Sequence, residues 1–215
     1  YTLFILLIVY TFNFIDRQIL SILIEPIKAD LDLNDIQIGL LTGFAFAFFY
    51  ATLGIPIAKL ADSSNRRTLI VGALTLWSAM TALCGLAGNF WHMLLARIGV
   101  GIGEAGCSPA AHSMISDLYP ANQRATALGI YSLGIPLGIM FGLFAGGWIN
   151  ELYGWRVALF LVGGPGLLLA LVMRFTVSEP MRGQAEGRVA SDIQPTIKET
   201  LVYLLAKKSF RHLSL

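Results

Sequence analysis

Four charged side chains stand inside otherwise apolar runs of this sequence. Asp16 and Arg17 lie in one, and Arg97 and Glu104 in another. At the centre of a bilayer each costs about 2.5–3.5 kcal/mol on insertion scales, so such groups face a bundle interior and mark a pathway or a proton relay. Two carry each sign, so they can neutralise one another. Protonating Asp16 would release an arginine partner, and a freed arginine can bind an anionic headgroup. This makes Asp16 and Glu104 the candidate proton-coupling groups, and Arg17 and Arg97 their charge partners or a headgroup site. A static ion pair tying two helices together is the alternative reading; it needs only two charges, and four are present.

The elements that position these groups follow from composition. The chain has 215 residues, 56% hydrophobic and 13% charged, with a mean hydropathy of +0.70. A soluble domain averages about 25% charged residues. The 22 glycines fit helices that approach closely in lipid. Six apolar runs are long enough for the roughly 20-residue span a bilayer requires. They cover about 1–24, 36–59, 67–88, 91–116, 123–149 and 156–177, with Asn34-Asp35 suited to cap the second. Arg97 and Glu104 are seven residues apart and share one face of helix 4. Helices 1 and 4 run in opposite directions. At 1.5 Å per residue, Asp16 lies about 12 Å and Arg97 about 9 Å below their outer ends, so the spacing predicts an Asp16–Arg97 pair with Arg17 and Glu104 beside it.

Orientation follows from the loop cations. Lys59, Arg66, Arg67 and Arg124 lie in loops on one side, joined by Arg174, Arg182, Arg188, Lys198, Lys207, Lys208 and Arg211. Lys28 and Arg156 lie on the other. The first side is expected to be cytoplasmic, in a multi-pass protein of a bacterial inner membrane. Residues 1–177 are then a six-helix bundle. Residues 178–209 are a cytoplasmic linker in which 195–208 form an amphipathic surface helix, and 210–215 begin a seventh helix. The chain is expected to begin slightly inside its natural N-terminus and to form the N-terminal half of a twelve-helix transporter. Expected partners are the C-terminal half, the bilayer, protons and a small anionic substrate (amphipathic, on the family resemblance given below), with no nucleic acid.

Several chemistries find no support. No phosphate-binding loop is present for an ATP-driven pump. No nucleophile triad or metal-ligand cluster appears, so neither an enzyme nor a metal or other cofactor is expected. Cys84 and Cys107 read as small buried thiols. Phe44, Phe46, Phe48, Phe49 and Tyr50 read as packing or lipid-facing rings, some of which could line an acyl-chain cavity. His112 reads as packing near a membrane boundary, with a proton-relay role as the lesser alternative.

The loop from Ala58 to Arg67, Ala-Lys-Leu-Ala-Asp62-Ser-Ser-Asn-Arg66-Arg67, resembles the signature loop of the major facilitator superfamily. Serine stands at 63 where the family carries arginine, and asparagine at 65 where it carries glycine. The resemblance implies a cytoplasmic gate: Asp62 facing a helix N-terminus of the other half, and the Arg66-Arg67 pair reaching Asp117. The alternative is that the two arginines only set topology. Gly134, Pro136, Gly138 and Gly142 resemble the family's helix 5 motif, whose face implies contact with the opposite half; plain helix packing is the alternative. Asn13-Phe-Ile-Asp16-Arg17, Arg97 through Glu104-Ala, and Tyr131-Ser-Leu-Gly-Ile-Pro136 together resemble the spinster-like branch. That resemblance implies Asp16 as a protonatable switch with Arg97 and Glu104 as partners. It also implies alternating-access transport of a lysophospholipid or sphingoid phosphate. The alternatives are a superfamily transporter of a small organic anion or drug, and a six-helix channel or receptor.

Overall fold

Three asparagines start helices. Asn34 Oδ1 accepts from the Gln37 backbone N–H at 2.9 Å, and Gln37 Oε1 accepts from Asn34 N–H at 2.9 Å, a reciprocal capping box. Asn65 caps the next helix through Thr68 N–H at 2.8 Å, and Asn89 another through His92 N–H at 2.9 Å. Each such cap contributes about 1 kcal/mol. Asn65 is the residue that replaces glycine in the loop signature, and it supplies a cap that glycine lacks.

The structure, a computed structural model, describes residues 1–187 together with Tyr203, Ala206 and Lys207. Among the described residues all regular structure is helical: α1 (Thr2–Asp30), α2 (Asp35–Gly39), a π-helical turn (Leu40–Phe44), α3 (Ala45–Ser63), α4 (Arg66–Cys84), α5 (Phe90–Ala105), α6 (Cys107–Leu118), α7 (Ala121–Ser132), α8 (Gly134–Thr176) and a short 3₁₀ turn (Gln184–Glu186). By length and composition four stretches are apolar enough to cross a membrane: Thr2–Asp30, Asp35–Ser63, Arg66–Cys84 and Ala121–Thr176.

Proline places the breaks. Pro109 has no N–H to give Ala105, and α5 ends at Ala105. Pro136 has none to give Ser132, and α7 ends at Ser132. Pro26 does not stop α1, which continues six residues past its expected end to Asp30; the loss of one backbone bond is outweighed by burial of Ile27 in the core. The second expected helix is interrupted by the π-helical turn, which its periodicity does not reveal.

Gly154, at φ +82, turns α8 back on itself. Before it, Gly134, Gly138, Gly142 and Gly146 meet Tyr10, Phe14, Gln18 and Ile19 in order, so this arm runs parallel to α1. After it, the arm is antiparallel to α1: Arg156 pairs with Asp30, and Tyr1 Oη donates to Thr176 Oγ1 at 2.6 Å. The glycine stripe therefore packs on α1 within this bundle, where its resemblance had implied contact with an opposite half. The cause is steric: glycine lets the α8 backbone approach the α1 backbone. A Cβ at 138 would lie 2.6 Å from the Thr11 carbonyl oxygen, whereas one at 147 would meet nothing within 4 Å. Gly138→Ala is expected to cost about 1–3 kcal/mol through overpacking and Gly147→Ala close to nothing, checked by thermal unfolding in detergent. Pro136 is exposed on the same arm.

Two apolar clusters form the core. One gathers Leu6, Val9, Leu74, Trp77, Met114 and Met173. The other gathers Ile19, Leu23, Cys84, Met93, Trp155 and Leu159. Along α1 the first cluster holds residues 5–9 and the second begins at Ile19; Asn13 and Asp16 lie between them, buried. The fold thus sets a buried polar belt between two dry cores.

The expected linker of residues 178–209 is described as far as Gly187, and that part is docked rather than free. The rest of the linker, the amphipathic helix apart from Tyr203, Ala206 and Lys207, and the expected start of a seventh helix at 210–215 lie outside the described residues.

Candidate functional site: a buried charge belt and a docked strap

The belt draws on three elements. On α1, Asp16 is 1% exposed. Its Oδ2 accepts from Thr81 Oγ1 of α4 at 2.7 Å. Its Oδ1 lies 3.9 Å from Arg97 Nη1 of α5 and accepts no hydrogen bond. Arg17 Nε donates to Glu104 Oε2 at 2.5 Å. All four charges converge as their spacing predicts, but the two pairs differ. Arg17–Glu104 is closed, whereas Asp16–Arg97 is loose. A direct charge-assisted bond is nearer 2.7–2.9 Å.

Arg17 also sits among rings. Its guanidinium carbon is 5.2 Å from the Phe14 ring centre, 5.1 Å from Phe46 and 4.8 Å from Tyr50. Phe46 is shared, with Arg97 at 5.6 Å. Rings over a guanidinium attract it through their quadrupoles. Of the four charges, Arg17 is the partly open one, with its side chain 27% exposed; Arg97 and Glu104 are buried. Thr81 and this ring box were not singled out from sequence as partners of the charges. A threonine inside an apolar helix is inconspicuous, and Phe14 lies on α1, far in sequence from the aromatic run of helix 2. Phe44 and Phe48 stack on each other and are exposed. His112 is exposed, 5.4 Å edge-on from Tyr131 and outside the belt.

Asn13, one turn before Asp16, is 1% exposed with neither amide atom hydrogen-bonded. Glu104 Oε1 and Arg97 Nε are also buried without a partner. Buried polar groups in folded proteins are nearly always satisfied; outside the belt, Arg67 Nε and Arg124 Nε share this state, and Asn13 differs in having its whole side-chain amide unpaired. Among the described residues no three His, Cys, Asp or Glu side chains group as a metal site.

The second charge cluster lies where α1 begins and α3 ends. Arg66 is wholly buried. It bonds Asp117 through Nη1, Ser113 Oγ at 2.9 Å, Glu179 Oε1 at 2.8 Å through Nε, and the Pro180 carbonyl at 2.8 Å. Arg67 does not reach Asp117. It is about 100° further round the helix and its guanidinium donates to the Val177 carbonyl at 3.2 Å, while its backbone N–H donates to Glu179 at 2.7 Å. Asp62 is exposed at the end of α3. Residues 178–187 form a strap over this end. Arg182 donates to the carbonyls of Ala61 and Ser64 at 2.8 and 2.9 Å, and Gly183 N–H donates to Asp117 at 3.0 Å. Glu179 and Arg182 were missed because a polar, glycine-containing stretch reads as linker, and Ser113 because a lone serine inside the expected fourth helix is inconspicuous. The Glu-x-x-Arg spacing after the last apolar run was the available signal.

Comparison with known proteins fits this architecture. The Major Facilitator Superfamily profile matches residues 6–214. An MFS-type efflux pump of Mycolicibacterium smegmatis is 38% identical over 173 residues, 80% of this chain and 40% of its own length. Human protein spinster homolog 1 is 33% identical over 186 residues, 85% of this chain and 35% of its own length. The crystal structure of a bacterial homolog to the human lysosomal transporter Spinster, in an inward-facing and occupied conformation, superposes with a TM-score of 0.81 at 42% identity. It covers 86% of this chain and 46% of that one. The chain thus spans less than half the length of these relatives.

Proposed function

This chain belongs to the major facilitator superfamily, and from that premise we propose that it is one half of a proton-coupled secondary transporter for an amphipathic, lipid-like anion of lysophospholipid or sphingoid-phosphate type. The observation that carries this reading is the unequal pairing of the belt. Asp16 is poised for release, with one free carboxylate oxygen 3.9 Å from Arg97, while Arg17 is held by Glu104 inside a box of rings. Protonation of Asp16 removes the negative charge facing Arg97 and lets the bundle rearrange. An arginine flanked by aromatic rings suits a headgroup that carries both an anion and an apolar tail. Between α3, α4 and α5 an apolar cleft of about 470 Å³, walled by Ile57, Leu60, Leu76 and Ile102, offers further surface for a chain.

On this reading α5 and α6 form one crossing, α7 and the first arm of α8 another, and the second arm of α8 a further one. That makes six in residues 1–177, with 178–209 outside the bundle and 210–215 entering the next helix. The N-terminus and the strap are cytoplasmic, in an inner membrane. Asp62, Arg66, Arg67 and Asp117 belong to a cytoplasmic gate between this half and a C-terminal half. Substrate binds near the midplane between the halves, as in repeat-built transporters.

The similarity to an efflux pump favours a second reading, a small organic anion or drug as cargo. One experiment separates them. The intact protein in proteoliposomes, under an imposed pH gradient, is expected to accumulate a fluorescent lysophospholipid, with competition by unlabelled lysophospholipid and none by small carboxylic acids. Competition by the small acids alone, or no gradient-driven accumulation, would sink the lipid reading.

A further inference from the structure

Asn13 is the group in the belt that has no assigned work. It sits on the buried face of α1 with Val9 and Asp16, and both its amide oxygen and its amide nitrogen lack hydrogen-bond partners. Leaving a buried amide unsatisfied is costly, so an amide kept there is expected to find its partner in another state of the site. Its nearest candidate is determined by the helix. Residues three apart are surface neighbours on α1, and Asp16 is three residues on. Asp16 Oδ2 is occupied by Thr81; Oδ1 accepts nothing. Oδ1 is therefore the oxygen free to carry a proton, and the Asn13 amide oxygen is a neutral acceptor one turn away.

We propose that Asn13 is the neutral partner of Asp16, its side-chain oxygen accepting a hydrogen bond from the Asp16 carboxyl once Oδ1 is protonated and Arg97 is released. Asn13 is a positioning residue, acting through Asp16, and the proposal rests on the proton-coupling reading above. The ionisable groups around Asp16 are Arg17 on its own helix, Cys84 on α4, and Arg97 and Glu104 on α5. α8 presents only Val162 and Gly163 to the void beside Asp16. Further along the same interior, Tyr10 of α1 neighbours Arg17, Tyr50 and Cys107 and stacks on Tyr131 of α7. Arg17 and Arg97 both favour the ionised carboxylate. Asn13 is the uncharged hydrogen-bonding side chain on this face of α1 that can favour the protonated one.

The test is the pH profile of gradient-driven uptake by the intact protein, using fluorescent lysophospholipid as the probe. It compares wild type with Asn13→Leu, which keeps the shape and removes the acceptor, and Asn13→Thr, which restores an acceptor. Without its partner the protonated carboxyl is less stable. Half-maximal uptake in Asn13→Leu is then expected to need about fivefold more protons, the factor that one ordinary hydrogen bond supplies. Maximal uptake at acid pH should be retained, with a melting temperature at or above that of wild type. Asn13→Thr is expected to return the profile toward wild type. An unchanged midpoint in Asn13→Leu, or equal shifts in both variants, would overturn the proposal. A lowered melting temperature with an unmoved profile would mark a purely structural amide and overturn it as well. Asp16→Asn in the same assay isolates the underlying reading: if it keeps its pH dependence, Asp16 itself is not the coupling group.

Discussion

Asp16→Asn is expected to abolish gradient-driven accumulation of substrate while leaving the protein folded. The substitution is close to isosteric and keeps an oxygen for Thr81, whose hydroxyl now donates to Asp16 Oδ2 at 2.7 Å. It removes the one group that can alternate between a charge facing Arg97 and a neutral acid. Net accumulation should fall by about 5- to 150-fold, the scale of a single lost coupling of 1–3 kcal/mol. Exchange of labelled for unlabelled substrate, which requires no net proton movement, should survive. Both are read from the same proteoliposomes, so loss of fold would show as loss of both. Accumulation equal to wild type would remove Asp16 from the mechanism.

The second large effect is on stability. Arg66→Met leaves Asp117 and Glu179, both partly exposed, without the buried cation they share. Breaking a fully buried ion pair from one side costs about 3–5 kcal/mol; the carboxylates here keep some exposure and backbone N–H donors, so the cost falls below that range, although the same side chain also satisfies Ser113 and the Pro180 carbonyl. Arg66→Lys is expected to recover little of this. A single ammonium cannot serve Asp117, Glu179 and a carbonyl from the three nitrogens that the guanidinium places in one plane. Arg67→Met should cost far less, since Arg67 reaches only a backbone carbonyl with its side chain. Detergent unfolding midpoints for the three variants check this order: Arg66→Met lowest, Arg66→Lys close above it, and Arg67→Met nearest wild type.

These two sites were legible in the sequence to different degrees. The belt was legible because charge inside apolar runs is rare, and helical arithmetic put Asp16 level with Arg97. What arithmetic did not decide was pairing. Arg17 rather than Arg97 holds Glu104, because the Phe14, Phe46 and Tyr50 rings gather around its guanidinium, and ring contacts between helices far apart in sequence leave no periodic trace. Asn13 stood in the Asn13–Arg17 string but was given no role, because a single uncharged amide barely lowers the hydropathy of an apolar run. At the other cluster, Arg66 and Asp117 were legible from the loop signature. The strap was not, because residues 178–187 gain order only from tertiary partners, such as Glu179 on Arg66 and Arg182 on the α3 carbonyls. The breaks at Ala105 and Ser132 were written in Pro109 and Pro136, four residues on. The reversal at Gly154 fell in the gap between two expected helices.

The central claim is that a proton moves with substrate through the Asp16 belt. It is tested most directly by the proton flux that substrate evokes. Proteoliposomes carrying the intact protein, with a pH-sensitive dye inside and the membrane potential clamped at zero, receive lysophospholipid with no imposed pH gradient. The account predicts a substrate-dependent change in lumenal pH that is absent with Asp16→Asn. Substrate uptake with no accompanying proton movement in the wild-type protein would contradict it.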